Sequence, residues 1–348
     1  MKLGKIFVLL LMIGVLIFAL TACSSSTAAK EEKNSAKEDQ NQTQQAEEKE
    51  TTYPNKSIKI IVHTSPGGPT DTMVRKLAEV TEPILGQSIV VENKKGGSGA
   101  AQMAALKSSD SEGYTLASIT PTHVGAWNSS LKGQFGPEDF AFVTRVQLDP
   151  YIVVVNAESQ FQTLEELISY MKEHPGELKV AGYGAVGSGH NVAWNIFADA
   201  AGVEAVWTNY ESTSDAVTAL LGNHVDIANS NPGKVSQYVE AGQLRVLGVF
   251  NDKRLEAMPD VPTYKEAGVP VNVDWAQFRG IYTNAGVPEE VLQTLSDAFL
   301  EAMHTEEFQE YMKDSQKEYG DMDYKEFTEF INAQMKINND WLVKLGIN

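Results

Sequence analysis

Two glycine-rich loops carry the residue types with the most chemistry in this chain. The first, His63-Thr64-Ser65-Pro66-Gly67-Gly68-Pro69-Thr70-Asp71, lies between an apolar β-rich run and a helical pattern. Glycines let a backbone come close to a ligand, and Thr70 or Asp71 is placed to cap the following helix. The first-turn N–H groups of a helix point outward at the positive end of its dipole, a ready setting for an anion. Spacing alone equally allows a tight turn before a capped helix. The second loop, Ala181-Gly182-Tyr183-Gly184-Ala185-Val186-Gly187-Ser188-Gly189-His190, has the same strand–loop–helix setting in the other half. Two facing helix starts would make pincers for a carboxylate. Ser188 offers a hydroxyl and a backbone N–H, while His190 either donates to a ligand or is satisfied by a backbone carbonyl. Arg279, in Phe278-Arg279-Gly280-Ile281, offers a planar fork for a second carboxylate, or else pairs within the protein. Trp127, Trp207 and Trp275 either line a cleft or fill cores.

Chemical conversion fits these residues poorly. Ser188 beside His190 invites a hydrolase reading, but Val186 and His190 stand where a nucleophile elbow needs glycines. The six histidines are scattered without a His-Glu-x-x-His pattern, so no metal is expected. Gly96-Gly97-Ser98-Gly99 lacks the Lys-Ser/Thr of a nucleotide phosphate loop, and Gln102 occupies the last glycine position of a dinucleotide fingerprint. No catalytic residue and no cofactor is expected. The chemistry is capture.

The elements that must position these loops alternate. Ile58 to His63 reads as a strand, and Thr72 to Leu85 as a helix with Met73, Leu77, Val80 and Leu85 on one face. Strands at 87–92 and 114–119 flank a helix at 100–107, and 142–155 supplies strand material interrupted at Asp149-Pro150. The pattern then restarts with a helix at 164–172, a strand at 179–183, a helix at 191–201 and a strand at 205–209. Such alternation implies parallel sheets covered on both faces, with ligands at the carboxyl ends of strands. The tail from Pro288 to Asn348 reads as helical, and no internal sequence repeat is visible. The fold class is α/β in two lobes, since the roughly 295 residues from Tyr53 onward exceed one ordinary core.

The N-terminus gives the address. Lys2 and Lys5 precede an apolar run from Ile6 to Leu20, which ends in Leu20-Thr21-Ala22-Cys23. Residues 1–22 therefore read as a signal peptide, too short for an ordinary membrane span. Cys23 is the only cysteine in 348 residues, so no disulfide can form within the chain. Its setting resembles a bacterial lipobox, which implies a lipidated Cys23. Residues 23–52 are polar and charged with nothing to pack, a lipid-anchored disordered linker. The formal charge of −18, without a basic block, argues against nucleic-acid binding.

A family resemblance rests on short matches in order. They are Tyr53-Pro54-x-Lys56, Pro66-Gly67-Gly68 with Asp71, Val91-Glu92-Asn93, Gly113-Tyr114-Thr115, Thr122-His123 and Pro137 with Asp139-Phe140. Gly187-Ser188 with His190, Leu220-Leu221-Gly222 with Val225-Asp226, Lys253-Arg254 and Asp260-Val261-Pro262-Thr263 with Glu266-Ala267-Gly268 continue the series. From Tyr53 to Asn348 the chain resembles the substrate-binding proteins of tripartite tricarboxylate transporters, the Bug family. The resemblance implies a type II periplasmic-binding-protein fold, two α/β lobes joined by crossovers with a ligand cleft between them. Lobe 1 would hold residues 53–150 and 276–348, and lobe 2 residues 151–275.

It also implies a monomeric, extracytoplasmic receptor that closes on a small organic acid and delivers it to integral-membrane transporter subunits. A lipoprotein presenting its ligand to a membrane sensor kinase is the alternative. Carried across, the first pincer falls on Thr64, Ser65, Pro66, Gly67, Gly68 and Asp71, and the second on Gly187, Ser188 and His190. Thr120, Thr122, His123 and Tyr210 match cleft positions, and Arg279 lies near the return crossover. His63-Thr64 replaces a common Pro-Phe, and Pro69 replaces a third glycine, so the resemblance does not specify the acid.

Overall fold

Proline has no N–H to give a strand ladder, and Asp149-Pro150 is where the chain leaves one sheet for another. The computed structural model describes residues 53–210 and 212–347. The proposed signal segment, Cys23 and the linker lie outside the described residues.

The first segment runs β1 (Ile58–Val62), α1 (Pro69–Leu85), β2 (Ile89–Asn93), α2 (Ala100–Lys107), β3 (Thr115–Ile119), α3 (Pro121–Asn128) and β4 (Phe140–Leu148). Beyond Pro150 come β5 (Tyr151–Asn156), α4 (Leu164–Glu173), β6 (Lys179–Tyr183), α5 (Gly189–Ala201) and β7 (Val206–Tyr210). α6 (Thr213–Leu221), β8 (Ile227–Ser230), α7 (Pro232–Glu240) and β9 (Leu244–Phe250) complete that segment. The chain returns through β10 (Phe278–Asn284), α8 (Glu289–Met303), α9 (Glu306–Ser315), β11 (Glu318–Met322) and α10 (Tyr324–Lys344).

One sheet has the order β11-β4-β10-β3-β1-β2, and the other β7-β6-β8-β5-β9. β1 runs parallel to β2 and β3, and β6 runs parallel to β7 and β8, as alternating units require. The expectation of wholly parallel sheets is corrected at the crossovers. β10 is antiparallel to β3 and β4, and β5 is antiparallel to β8 and β9. A strand arriving from the other lobe enters its sheet where the resident strands end, so it must run against them.

The wholly helical tail is corrected as well, because β11 pairs with β4 at the sheet edge. A Cβ on Gly320 would lie 2.2 Å from the Arg145 carbonyl oxygen, so only glycine allows this approach. The Arg145 guanidinium donates to the Gly320 carbonyl at 2.8 and 3.1 Å. A five-residue strand with glycine and aspartate at its centre carries little strand propensity, and the pairing is tertiary.

α1 shows how the sequence packs. Met73, Val74, Leu77 and Val80 recur at helical spacing and bury against β1 and α8, with Val62, Leu295 and Phe299 in the same cluster. Each such side chain contributes roughly 1.5–3 kcal/mol when fully buried. A second cluster gathers Ile152, Val154, Val217, Leu220 and Val235. The largest spans both sheets, joining Trp127, Phe142 and Tyr282 to Phe197, Leu247 and Tyr264 through Tyr151, Trp275 and Phe278 at the crossovers.

Candidate functional site

The two pincer loops share one design. Gly67 and Gly187 both sit at positive φ, 78° and 87°. The Gly67 N–H donates to Asp71 Oδ2 at 2.8 Å, and the Gly187 N–H donates to Asn191 Oδ1 at 2.9 Å. The next N–H groups turn inward too, Gly68 to the Ser65 carbonyl at 3.2 Å and Ser188 to the Ala185 carbonyl at 3.0 Å. One helical turn on, Arg75 Nε donates to Asp71 and Asn195 Nδ2 to Asn191 Oδ1. The repeated unit is glycine, then an Asp or Asn four residues later, then a donor four further. Sequence reading missed it because an amide stands for a carboxylate and an asparagine for an arginine, which leaves no identity beyond the glycine.

This design revises several roles. The N-cap of α1 is Gly68 with Pro69 in the first turn, rather than Thr70 or Asp71. Burial would raise the Asp71 carboxyl, but Arg75, the Gly67 N–H and Asn93 together hold it below the ordinary range. Asp71 thus shapes the loop. Ser188 caps α5: its hydroxyl accepts from the Asn191 N–H and donates to the Tyr183 carbonyl at 2.9 Å. Trp207 Nε1 donates to the Gly184 carbonyl at 3.2 Å, and Trp275 Nε1 to that of Gly189 at 3.0 Å. These two indoles clamp the second pincer, while Trp127 is core. A Cβ on Gly189 would lie 2.9 Å from the Tyr151 hydroxyl, so that position has no room for a side chain.

Two adjoining cavities lie in the cleft and share Tyr183, His190 and Gln277 as a wall. One, of about 340 Å³, is lined by the loop Gly184 to Gly189, by Pro121 and Thr122, and by Leu342 and Ile347. The other, of about 400 Å³, is lined by Gly67, Pro69 and Thr72 at the start of α1, Thr213 at the start of α6, and Asn231, Gly233 and Lys234 at that of α7. Arg279, Asp149 and Lys317 line the same space.

Gly67, Thr122, Gly187, Ser188, His190 and Arg279 therefore meet at the cleft. The remaining candidates stand apart from these walls. Ser65 and Pro66 are exposed, and Gly68 is the cap. The Thr64 hydroxyl is buried without a partner among the described residues, and its carbonyl accepts from Asn93 at 3.0 Å. Thr120, the N-cap of α3, and His123, in its first turn, are buried, and the Thr120 N–H donates to His123 Nδ1 at 3.2 Å. His123 Nε2 then donates to Gln102 Oε1 at 2.9 Å. Tyr210 packs on the second-lobe cluster, and its carbonyl accepts the Gly184 N–H at 3.0 Å.

His190 answers the question its sequence left open. Nδ1 lies 3.1 Å from the Asn229 carbonyl oxygen, which assigns the proton to Nδ1 and leaves the Nε2 lone pair for the cleft. Burial lowers its pKa, so the ring is neutral at pH 7. His63, beside Ser118 and Thr120 and edge-on to His123 at 4.4 Å, is pushed down to about 4 by burial and by Arg279. A base with a depressed folded pKa binds its proton more readily when unfolded. Its stabilisation is complete above 6.5, the ordinary value, and is lost as pH falls toward 4. The melting temperature should fall across that window, and less steeply in His63→Gln; equal slopes in the two proteins would remove His63 as a cause.

The charges at the cleft floor are unequal. Arg279 is 5% exposed; its Nη2 reaches Asp149 Oδ2 at 3.4 Å, while Nε and Nη1 have no partner among the described residues. Lys317 Nζ lies 2.8 Å from Asp149 Oδ1. Burial alone would raise the Asp149 carboxyl, but Lys317 and Arg279 outweigh it and hold it low. An orphaned buried guanidinium beside helix starts is an anion acceptor in waiting. Sequence reading found Arg279 but missed Lys317, Lys234 and Asp149. Lys317 follows a left-handed Gln316 after α9 and carries no local signal at all.

The family model for the tripartite tricarboxylate transporter family receptor matches residues 73–347. The chain belongs to that receptor family. It is 30% identical over 297 residues to the UPF0065 protein in the gbd 5′ region of Cupriavidus necator, covering 85% of this chain and 89% of that one. It is 31% identical over 257 residues to BugT of Bordetella pertussis, covering 73% and 78%. A ligand-free crystal structure of a TctC solute-binding protein from Polaromonas superposes with a TM-score of 0.76 at 26% identity, over 84% of this chain and 100% of that one. The tripartite tricarboxylate receptor is an extracytoplasmic solute-binding protein and not an enzyme. Its two-lobed α/β fold is the periplasmic-binding-protein fold.

Proposed function

We propose that this receptor captures a small organic carboxylate in the cleft and delivers it to the integral-membrane subunits of a tripartite tricarboxylate-type transporter. The observation that carries the reading is Arg279, buried in the cleft wall with two guanidinium nitrogens that have no partner among the described residues. The N-terminal ends of α1 and α5 flank that wall and add positive dipole ends. Lobe 1 is residues 53–150 with 276–348, and lobe 2 is 151–275. Ligand contacts to Thr122, the loop from Gly184 to Gly189 and Arg279 draw on both lobes, with the His190 Nε2 lone pair left to accept from a hydroxyl of the ligand, so occupancy favours closure. Cys23 carries the lipid that holds the monomer at the membrane after removal of residues 1–22, and residues 23–52 are its tether. Membership of a transporter-receptor family favours delivery over presentation to a sensor kinase.

The test is a thermal-shift screen of the purified chain against mono-, di- and tricarboxylates, after unfolding and refolding to strip carried-over ligand. A ligand at a hundred times its Kd adds roughly 2.7 kcal/mol, enough for a shift of several degrees. A selective shift is expected. No response to any acid from a refolded, monodisperse sample would overturn the reading.

A further inference from the structure

We propose that Lys234 and Lys317 form, with Arg279, a second-anion subsite divided between the lobes, which selects ligands carrying at least two negative charges and makes closure depend on ligand charge. The inference rests on the carboxylate reading above and adds to it the residues that choose among carboxylates.

The arrangement is built rather than incidental. Lys317 leaves the turn after α9 and reaches over the start of α7: a Cβ on Gly233 would lie 3.4 Å from its Nζ and 3.2 Å from the Ser315 carbonyl oxygen. The side chains of Lys317, Arg279 and Asp149 are 9%, 7% and 6% exposed, so their charges are held out of water. Lys234 follows Gly233, is exposed on the second-lobe side, and lines the same cavity. Among the described residues lining this cavity Asp149 is the sole carboxylate, set against three cations. Burial, with Arg279 and Lys234 nearby, lowers the Lys317 pKa even though Asp149 acts the other way.

That surplus has a consequence for closure. As the lobes approach, water leaves the space between Lys234 on one side and Lys317 with Arg279 on the other. Like charges then repel more strongly, because screening falls with the local dielectric. A carboxylate held at the second pincer, on the far side of Tyr183 and His190, leaves the surplus standing. A second anionic group on the same molecule lies between the cations and converts repulsion into attraction across the cleft. Its affinity for the closed state then exceeds that for the open one, which is the condition for driving closure.

The experiment is calorimetric titration of the refolded chain with linear α,ω-dicarboxylates of three to seven carbons and with monocarboxylates of matched length. At the best length the diacid should bind at least about tenfold more tightly, the scale of one hydrogen bond to a charged group. Lys234→Gln should shrink that ratio roughly tenfold, and Lys234→Arg should restore it. Small-angle scattering should show compaction with the diacid and less with the monoacid. A monoacid that binds as tightly as its diacid, or a ratio unmoved by Lys234→Gln, would overturn the subsite while leaving carboxylate capture intact. Failure of every acid to bind would overturn both.

Discussion

Arg279→Gln is expected to weaken carboxylate binding about thirtyfold or more, while the folded receptor persists. The figure follows from losing at least one hydrogen bond to a charged acceptor, about 2 kcal/mol, in a buried setting. Arg279 is 5% exposed and its Nε and Nη1 have no partner among the described residues, so the guanidinium that a ligand would meet is already desolvated. Glutamine keeps part of the volume and one donor but neither the charge nor the fork. Calorimetry with the best acid from the screen measures the loss, and circular dichroism checks that the fold survives. An unchanged Kd would show that the guanidinium serves only the Asp149 pairing.

Asp149→Asn carries the largest expected effect on stability, a loss of about 3–5 kcal/mol. Asp149 is the shared counter-charge of Arg279 and Lys317, both nearly excluded from water. Removing it strands two buried cations, which costs more than the original triad contributed. Its backbone also sits at the crossover: the N–H donates to the Gln277 carbonyl at 2.8 Å, and Asn231 Nδ2 donates to its carbonyl at 2.8 Å. Those contacts survive the substitution, so the charge term is isolated. The Asp149 carboxyl is held low in the fold, so its stabilisation is complete above the ordinary carboxylate value and is lost as pH falls through the folded one. The difference between parent and Asp149→Asn should therefore narrow in strong acid, below the window in which His63 acts. A denaturant titration at pH 7 that finds less than 1 kcal/mol between them would show the cations to be solvated instead. That threshold is well below the cost of an uncompensated buried charge.

Much of this receptor was legible in its residues because the governing signals are local. Periodicity placed α2 at Ala100–Lys107 and β6 at Lys179–Tyr183, and the glycine loops marked both pincers. A loop between a strand and a helix must expose first-turn N–H groups whatever the rest of the chain does. The ordered short motifs then indicated the family, and with it the two-lobed receptor fold.

Tertiary structure decided what those loops do with their atoms. Only the folded chain shows that Ser188 and Asp71 turn inward to hold the loops, that His123 joins a core hydrogen-bond chain with Gln102, and that Tyr210 supports the pincer through its carbonyl. It alone brings Lys317 from the tail, Asp149 from the crossover and Lys234 from the second lobe around Arg279. Contacts of that range depend on how two lobes meet, and nothing in a residue's immediate neighbours encodes them. The sequence by itself determined the alternating strands and helices of the first segments, the two glycine loops and the kind of receptor. The balance of buried charge that would choose its ligand exists only once residues 38 or more positions apart share one desolvated space.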